Sequence, residues 1–224
     1  MNMKRSNEMD YTLLNIVSDD MPTKRRIMIY SLELFNRKGY SETTTRHIAS
    51  AVGITSGSIY GHFSSKEEIL EYMLKDYGEY TKGMYETLDT ESILRKKPTG
   101  EGVGECLMSS ISILSKDIYY ANLVHLVHQE QHRNPLFGAF VLLRLQETKD
   151  YVKKIFDILK EMNIIKEDAN DECWGVVTYS LMHTLSSCLA ISIRQQKQSY
   201  SMADMGAMLR YIFDTAIAAH KKEG

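Results

Sequence analysis

The chain has 224 residues, 43% of them hydrophobic, with a net charge of −2 and only three prolines. That is enough apolar material for one small and one larger domain each to bury a core, and it excludes disordered and fibrous classes. The near-neutral total hides an asymmetry: between Pro22 and Lys66 seven basic residues face two acidic ones, so this stretch carries +5 and the remainder −7. A basic head on an acidic body suits a polyanionic partner at one end of the molecule.

Residues 1–21 read as an N-terminal extension, either mobile or packed as a short helix on the first domain. Its apolar run, Tyr11–Val17, is too short and too interrupted for a signal peptide. Thr23 is placed to cap a first helix running to Lys38, with Ile27, Tyr30, Leu34 and Phe35 as its core stripe and Gly39 ending it. Residues 39–68 then read as two short helices around a tight turn. Ile48, Ala49, Val52, Ile54 and Ile59 follow helical spacing, and Gly53 sits where the chain must reverse with positive φ. Thr44 and Thr55 stand at the two N-cap positions, where a side-chain oxygen satisfies an orphan backbone N–H. The combination is a helix-turn-helix for DNA.

Ser65-Lys-Glu-Glu68 reads as a capping box opening a long helix through Ile69, Tyr72, Met73, Tyr77, Tyr80 and Met84. Pro98 and three glycines predict a loop over Arg95–Gly104. Helical patterns resume at about 105–116, 118–132, 136–162, 169–197 and 202–221, and no strand alternation of useful length occurs. The expected fold is all-α: a three-helix DNA-binding domain over 22–68, joined by a long helix to a larger helical domain over 69–224.

Residues 173–193 carry no Asp, Glu, Lys or Arg, a length that could span a bilayer. Thr178, Ser180, His183, Thr184, Ser186, Ser187 and Ser192 dilute the run, so a helix buried on several sides is expected and a membrane is not. The last helix presents Met202, Met205, Met208, Leu209, Ile212, Phe213, Ala216 and Ile217 as one stripe. This helix and that at 169–197 are expected to pair with their symmetry mates as a four-helix bundle, making a homodimer, with a core inside one subunit as the alternative. Cys106, Cys173 and Cys188 are odd in number and widely spaced, which argues against a disulfide framework or zinc site and fits a reducing cytoplasm.

The residues Gly39, Thr44, Ile48, Ala49, Gly53, Ile54, Thr55, Gly57, Ile59, Tyr60, His62, Phe63, Lys66, Glu67 and Ile69 closely resemble, in one ungapped register, the DNA-binding pattern of TetR-type transcriptional regulators. Two departures stand out. Ser56 occupies a position where many members have lysine, and Gly61 replaces a larger side chain. Base readout by Thr55, Ser56, Ser58, Tyr60 and His62 is therefore expected to be sparse, with DNA shape contributing. Thr44, Thr45 and Arg46 are expected to reach phosphate or a groove edge. The resemblance implies phosphate contacts for Tyr60 and His62, with Lys66 touching phosphate from the first turn of the following helix.

The resemblance also implies a repressor that leaves a pseudo-palindromic operator when a small molecule enters the larger domain. Groups for such a pocket are Tyr119, Tyr120, His125, His128, Gln129, His132, Tyr151, Trp174, Tyr179 and His183, polar-tipped residues on otherwise apolar helices. Glu130 and Pro135 match a Glu-x-x-x-x-Pro-like stretch of many members, which implies a pocket wall here. His125, His128 and His132, at spacings of three and four, share one helix face and raise the question of a metal. They are too spread to hold one ion together, and no HExxH or carboxylate motif accompanies them, so neither metal nor cofactor is expected. No nucleophile, base or phosphate-loop pattern suggests an enzyme. The alternative reading is an effector-independent DNA-bound adaptor, architectural or protein-recruiting, acting through its acidic body.

Overall fold

The computed structural model describes residues 13–195 and 201–221. Among them a 3-10 turn at Leu13–Ile16 precedes ten α-helices, and no strand forms. The chain divides into two compact units, one ending at Ile69 and one beginning at Leu70.

The first unit comprises α1 (Thr23–Lys38), α2 (Thr45–Val52), α3 (Ser56–Tyr60) and the start of α4 (Lys66–Thr87). Ile27, Ile29, Leu32, Phe35, Ile48, Val52, Ile59 and Phe63 are buried together, and Leu13 of the N-terminal turn is fully buried with them. Residues 1–12 of the expected extension lie outside the described residues. Thr44 caps α2 by accepting from the His47 N–H at 3.2 Å, and the His47 Nδ1 accepts back from the Thr44 N–H at 3.3 Å. Thr55 caps α3 through the Ser58 N–H at 3.1 Å. Gly53 takes φ +79° in the left-handed region, closing α2 and turning the chain into α3. Arg26 Nη2 donates to the Val52 carbonyl at 3.1 Å, neutralising that helix end from α1.

Two expected caps differ. Pro22, not Thr23, stands at the N-cap of α1 and makes no side-chain cap, because the helix already includes Thr23. At α4, Ser65 Oγ accepts from the Glu68 N–H as expected, but the Glu68 carboxylate reaches back one residue further, to the N–H and hydroxyl of Ser64.

The second unit continues α4 and adds α5 (Thr90–Lys96), α6 (Gly100–Lys116), α7 (Ile118–Glu130), α8 (Pro135–Glu161), α9 (Asp171–Gln195) and α10 (Met202–Ala219). Side-chain caps mark several starts: Asp89 for α5, Asp117 for α7, Asn134 with Pro135 next to it for α8, and a Ser201/Asp204 capping box for α10. The loop expected over Arg95–Gly104 shrinks to three residues. Its glycines lie inside α6, and at Gly100 and Gly102 α10 and the preceding turn leave no room for a side chain, whereas Gly104 meets α10 at ordinary contact distance. A Cβ on Gly100 would lie 2.2 Å from the Arg210 carbonyl oxygen, and one on Gly102 would lie 2.1 Å from that of Lys97. The Gly100 N–H donates to Asp214 Oδ1 at 2.7 Å, so an orphan helix-start donor is satisfied by α10.

The same packing changes the reading of α10. Met205, Leu209, Phe213 and Ala216 are buried within the chain, chiefly against α6. The residues left exposed are Met208 and Tyr211 on α10 and Val176, Val177 and Ile191 on α9. The described part of α9 ends at Gln195, so the last two residues of its expected span, and Tyr200 beside the next boundary, lie outside the described residues, as does the side chain of Met84 in the α4 stripe. Among the described residues no helix is long and apolar enough to cross a membrane.

Candidate nucleic-acid interface and effector cavity

The residues expected to read DNA lie on the outside of the first unit. Thr44, Arg46, Thr55, Ser58, Tyr60 and His62 are exposed, and Thr45 and Ser56 are half-buried. The exposure of Tyr60, 57%, is large for an aromatic residue and leaves its ring open to a partner. Its hydroxyl lies 3.5 Å from Thr45 Oγ1, which ties the start of α2 to the end of α3. Thr55 and Ser58 share a hydroxyl–hydroxyl bond of 2.9 Å, so one expected reading group is pre-oriented by the cap.

Lys66 has a structural task in the folded chain. Its Nζ donates to the Tyr40 carbonyl at 2.8 Å and lies 4.2 Å from the Tyr40 ring centroid. Lys24 similarly lies over Phe63 at 5.2 Å. Part of the positive charge counted in the head is therefore held against its own surface, and Arg46, at the exposed start of α2, is the cation best placed beside the threonines. Sequence reasoning misses His47. Its position three residues after Thr44 is the signal, because a histidine nitrogen fills the role usually taken by Glu or Gln in a capping box.

In the second unit, α4, α6, α7, α8 and α9 enclose a cavity of about 90 Å³. Its wall combines Tyr77 and Tyr85 of α4, Ile111 of α6, Val124, Val127 and His128 of α7, Phe140, Val141, Arg144 and Thr148 of α8, and Tyr179, Met182, His183 and Ser186 of α9. Three of the expected pocket residues meet here. His128 and His183 sit edge to face with ring centroids 4.0 Å apart, and Tyr179 lies 5.6 Å from His183. Burial pushes the His128 pKa down to about 4, helped by its histidine neighbours His183 and His125. Burial likewise lowers that of His183, so both rings are neutral at physiological pH. His183 Nε2 is buried without a hydrogen-bond partner among the described residues.

The other expected pocket residues lie elsewhere. Tyr119 is fully buried and packs edge-on against Tyr120, whose hydroxyl donates to Asp76 at 3.2 Å. Tyr151 shares a 2.9 Å hydrogen bond with Thr90 and stacks on Tyr85 at 4.3 Å, behind the cavity. Trp174 donates from Nε1 to His220 Nε2 at 3.2 Å and faces Phe213. Gln129 is exposed, His125 is half-buried outside the cavity wall, and His132 falls past the end of α7 on an exposed turn. The three histidines therefore do not share one helix face. Among the described residues no three His, Cys, Asp or Glu side chains group as metal ligands.

Arg144 and Thr148 also escape a reading of the sequence, although the period holds the signal. Phe140, Arg144 and Thr148 step by four along α8, and Tyr151 follows three later, so they share the inward stripe. Tyr77, expected as part of the α4 core stripe, is also part of the wall. Burial raises its hydroxyl to about 12 against the lowering effect of Arg144.

Residues 30–73 match the sequence model described as bacterial regulatory proteins of the tetR family. Over this stretch the chain carries a TetR-type helix-turn-helix. It is 40% identical over 82 residues to the HTH-type transcriptional repressor KstR2 of Mycolicibacterium smegmatis, a match covering 35% of this chain and 40% of that protein. The KstR2 of Rhodococcus jostii is 35% identical over 103 residues, covering 44% of this chain and 48% of its own length. The chain thus spans less than half the length of these relatives. The fold extends the likeness: Salmonella enterica GusR superposes with TM-score 0.60 at 18% identity, covering 90% of this chain and 98% of the other. The regulator FadR of Bacillus subtilis, in complex with stearoyl-CoA, does so with TM-score 0.60 at 18% identity, covering 87% and 97%. These two share the all-helical fold of this chain over most of its length.

Proposed function

We propose that this chain is a homodimeric TetR-type transcriptional repressor of the cytoplasm, released from a pseudo-palindromic operator by a small-molecule effector. The observation that carries the reading is the cavity, because Tyr77 and Tyr85 in its wall belong to α4, the same helix whose first turn supplies Ile69 to the core of the DNA-reading unit. A molecule that reshapes the wall biases the helix that leads to the head. That FadR, of the same fold, forms a complex with stearoyl-CoA is in keeping with a small-molecule effector here.

Dimerisation is supported by the exposed apolar groups on α9 and α10, Val176, Val177, Ile191, Met208 and Tyr211, which a second copy would cover as a four-helix bundle. A single short reading helix with serine and threonine side chains binds weakly, whereas two on a two-fold axis read half-sites a helical turn or more apart. Thr44, Thr45, Arg46, Thr55, Ser56, Ser58, Tyr60 and His62 supply phosphate and groove contacts, and Lys66 supports Tyr40 behind them.

The test is a titration of the full chain against the duplex flanking its own gene at two salt concentrations, with a scrambled duplex as control. Tight, salt-sensitive binding to the native duplex alone is expected, and Arg46→Ala should reduce the salt slope by about 1 while weakening all sequences alike. Equal weak binding to both duplexes would overturn the repressor reading in favour of an adaptor held by charge.

A further inference from the structure

Among the described residues of the cavity wall, Arg144 is the only one that carries a charge at neutral pH, since the rest are apolar, hydroxyl-bearing or neutral imidazole. Its side chain is 13% exposed. The guanidinium carbon lies 5.9 Å from the Tyr77 ring centroid, and its charge also acts on the Tyr179 hydroxyl, so it stands between α4 and α9. Among the described residues its carboxylate partner is Glu147, which bonds Nη1 and lines a neighbouring groove, not the cavity. The Nε–Nη2 edge, the edge that takes a carboxylate bidentately, is not used by that pair.

Resting on the effector reading above, we propose that the cavity takes a compact organic acid, its carboxylate held by Arg144 and its hydrocarbon body between the tyrosines and the apolar wall. A buried cation half-neutralised by a partly exposed glutamate gains a second, water-excluded partner when such a ligand enters. His183 Nε2 offers a further polar contact for the ligand body. A dianion is a poorer match, because one guanidinium already shared with Glu147 leaves the second negative charge uncompensated.

The experiment is calorimetric titration of the full chain with acid–amide pairs of equal shape, phenylacetate against phenylacetamide and octanoate against octanamide. The acid of each pair should bind about tenfold or more tightly than its amide, as expected for replacing a charge-assisted bond by a neutral one. Arg144→Gln should remove that preference. Glu147→Gln, which deletes the competing carboxylate outside the cavity, should tighten acid binding, and it serves as the test if the first variant does not fold. Equal affinity of acid and amide overturns the proposal and leaves the cavity as an effector site of other specificity. Binding of neither member overturns the proposal and withdraws the cavity from the repressor reading as well. An acid preference unchanged in both variants overturns the role of Arg144.

Discussion

At His128 the imidazole stands against His183 in a wall of valines and tyrosines, and its removal from water brings its pKa from 6.5 to about 4. The unfolded chain takes up this proton near pH 6.5 and the folded chain only near pH 4, so between these values the unfolded state binds more protons. Stability should therefore be full above pH 6.5, decline as the pH falls toward 4 and level off below it, a loss of about 3 kcal/mol from this group. Urea unfolding across that range measures the decline, and His128→Leu should flatten it; an unchanged decline would assign the effect elsewhere. Gly53 obeys a different constraint. With φ +79° and no atom within 4 Å of where a Cβ would stand, Gly53→Ala meets only backbone strain, so a cost of about 1–2 kcal/mol is expected, read as faster amide exchange in α2 and α3. The glycine is legible in the sequence because its demand is local. The neutrality of His128 is not, because it depends on α9.

For the helices, local signals set most of the starts. Thr44, Thr55 and Ser201 each accept from a backbone N–H three residues on, where sequence alone would put the cap. The failure at Gly100, Gly102 and Gly104 is equally physical. Glycine marks both turns and close approach, and only the partner distinguishes them; for Gly100 the partner is α10, more than a hundred residues away in the chain, and for Gly102 it is the Lys97 backbone. Gly100→Ala forces its Cβ into the Arg210 carbonyl and the Asp214 backbone, with no flexible side-chain tip to yield at the nearest contact. A destabilisation of about 2–3 kcal/mol is expected, measured by urea unfolding of the second unit through Trp174 fluorescence, whereas Gly78→Ala, with open space at its Cβ, should be tolerated. Equal effects of the two substitutions would refute the close-approach account.

For the whole molecule, the proposed dimer rests on the exposed face of α9 and α10, which would bring two heads to the DNA in place of one. Tyr211, 75% exposed, contributes little to the fold of one chain, so Tyr211→Glu should leave the thermal unfolding of the monomer nearly unchanged. In a dimer it would put two charges in an apolar seam, and sedimentation should show a shift from dimer to monomer, with operator affinity falling by about tenfold or more. A variant that remains dimeric would move the interface elsewhere. The α10 stripe expected to serve this contact shows why periodicity misleads here. Met205, Leu209 and Phe213 lie on one side of the helix and Met208 and Tyr211 on another, and both sides are apolar enough to seek cover. The sequence by itself determined the helix-turn-helix, with its caps, its reversal at Gly53 and its basic surplus, because each rests on residues a few positions apart. Which glycines meet α10, which histidines face each other and which cation enters the cavity were decided only by tertiary structure, since each depends on helices brought together from distant parts of the chain.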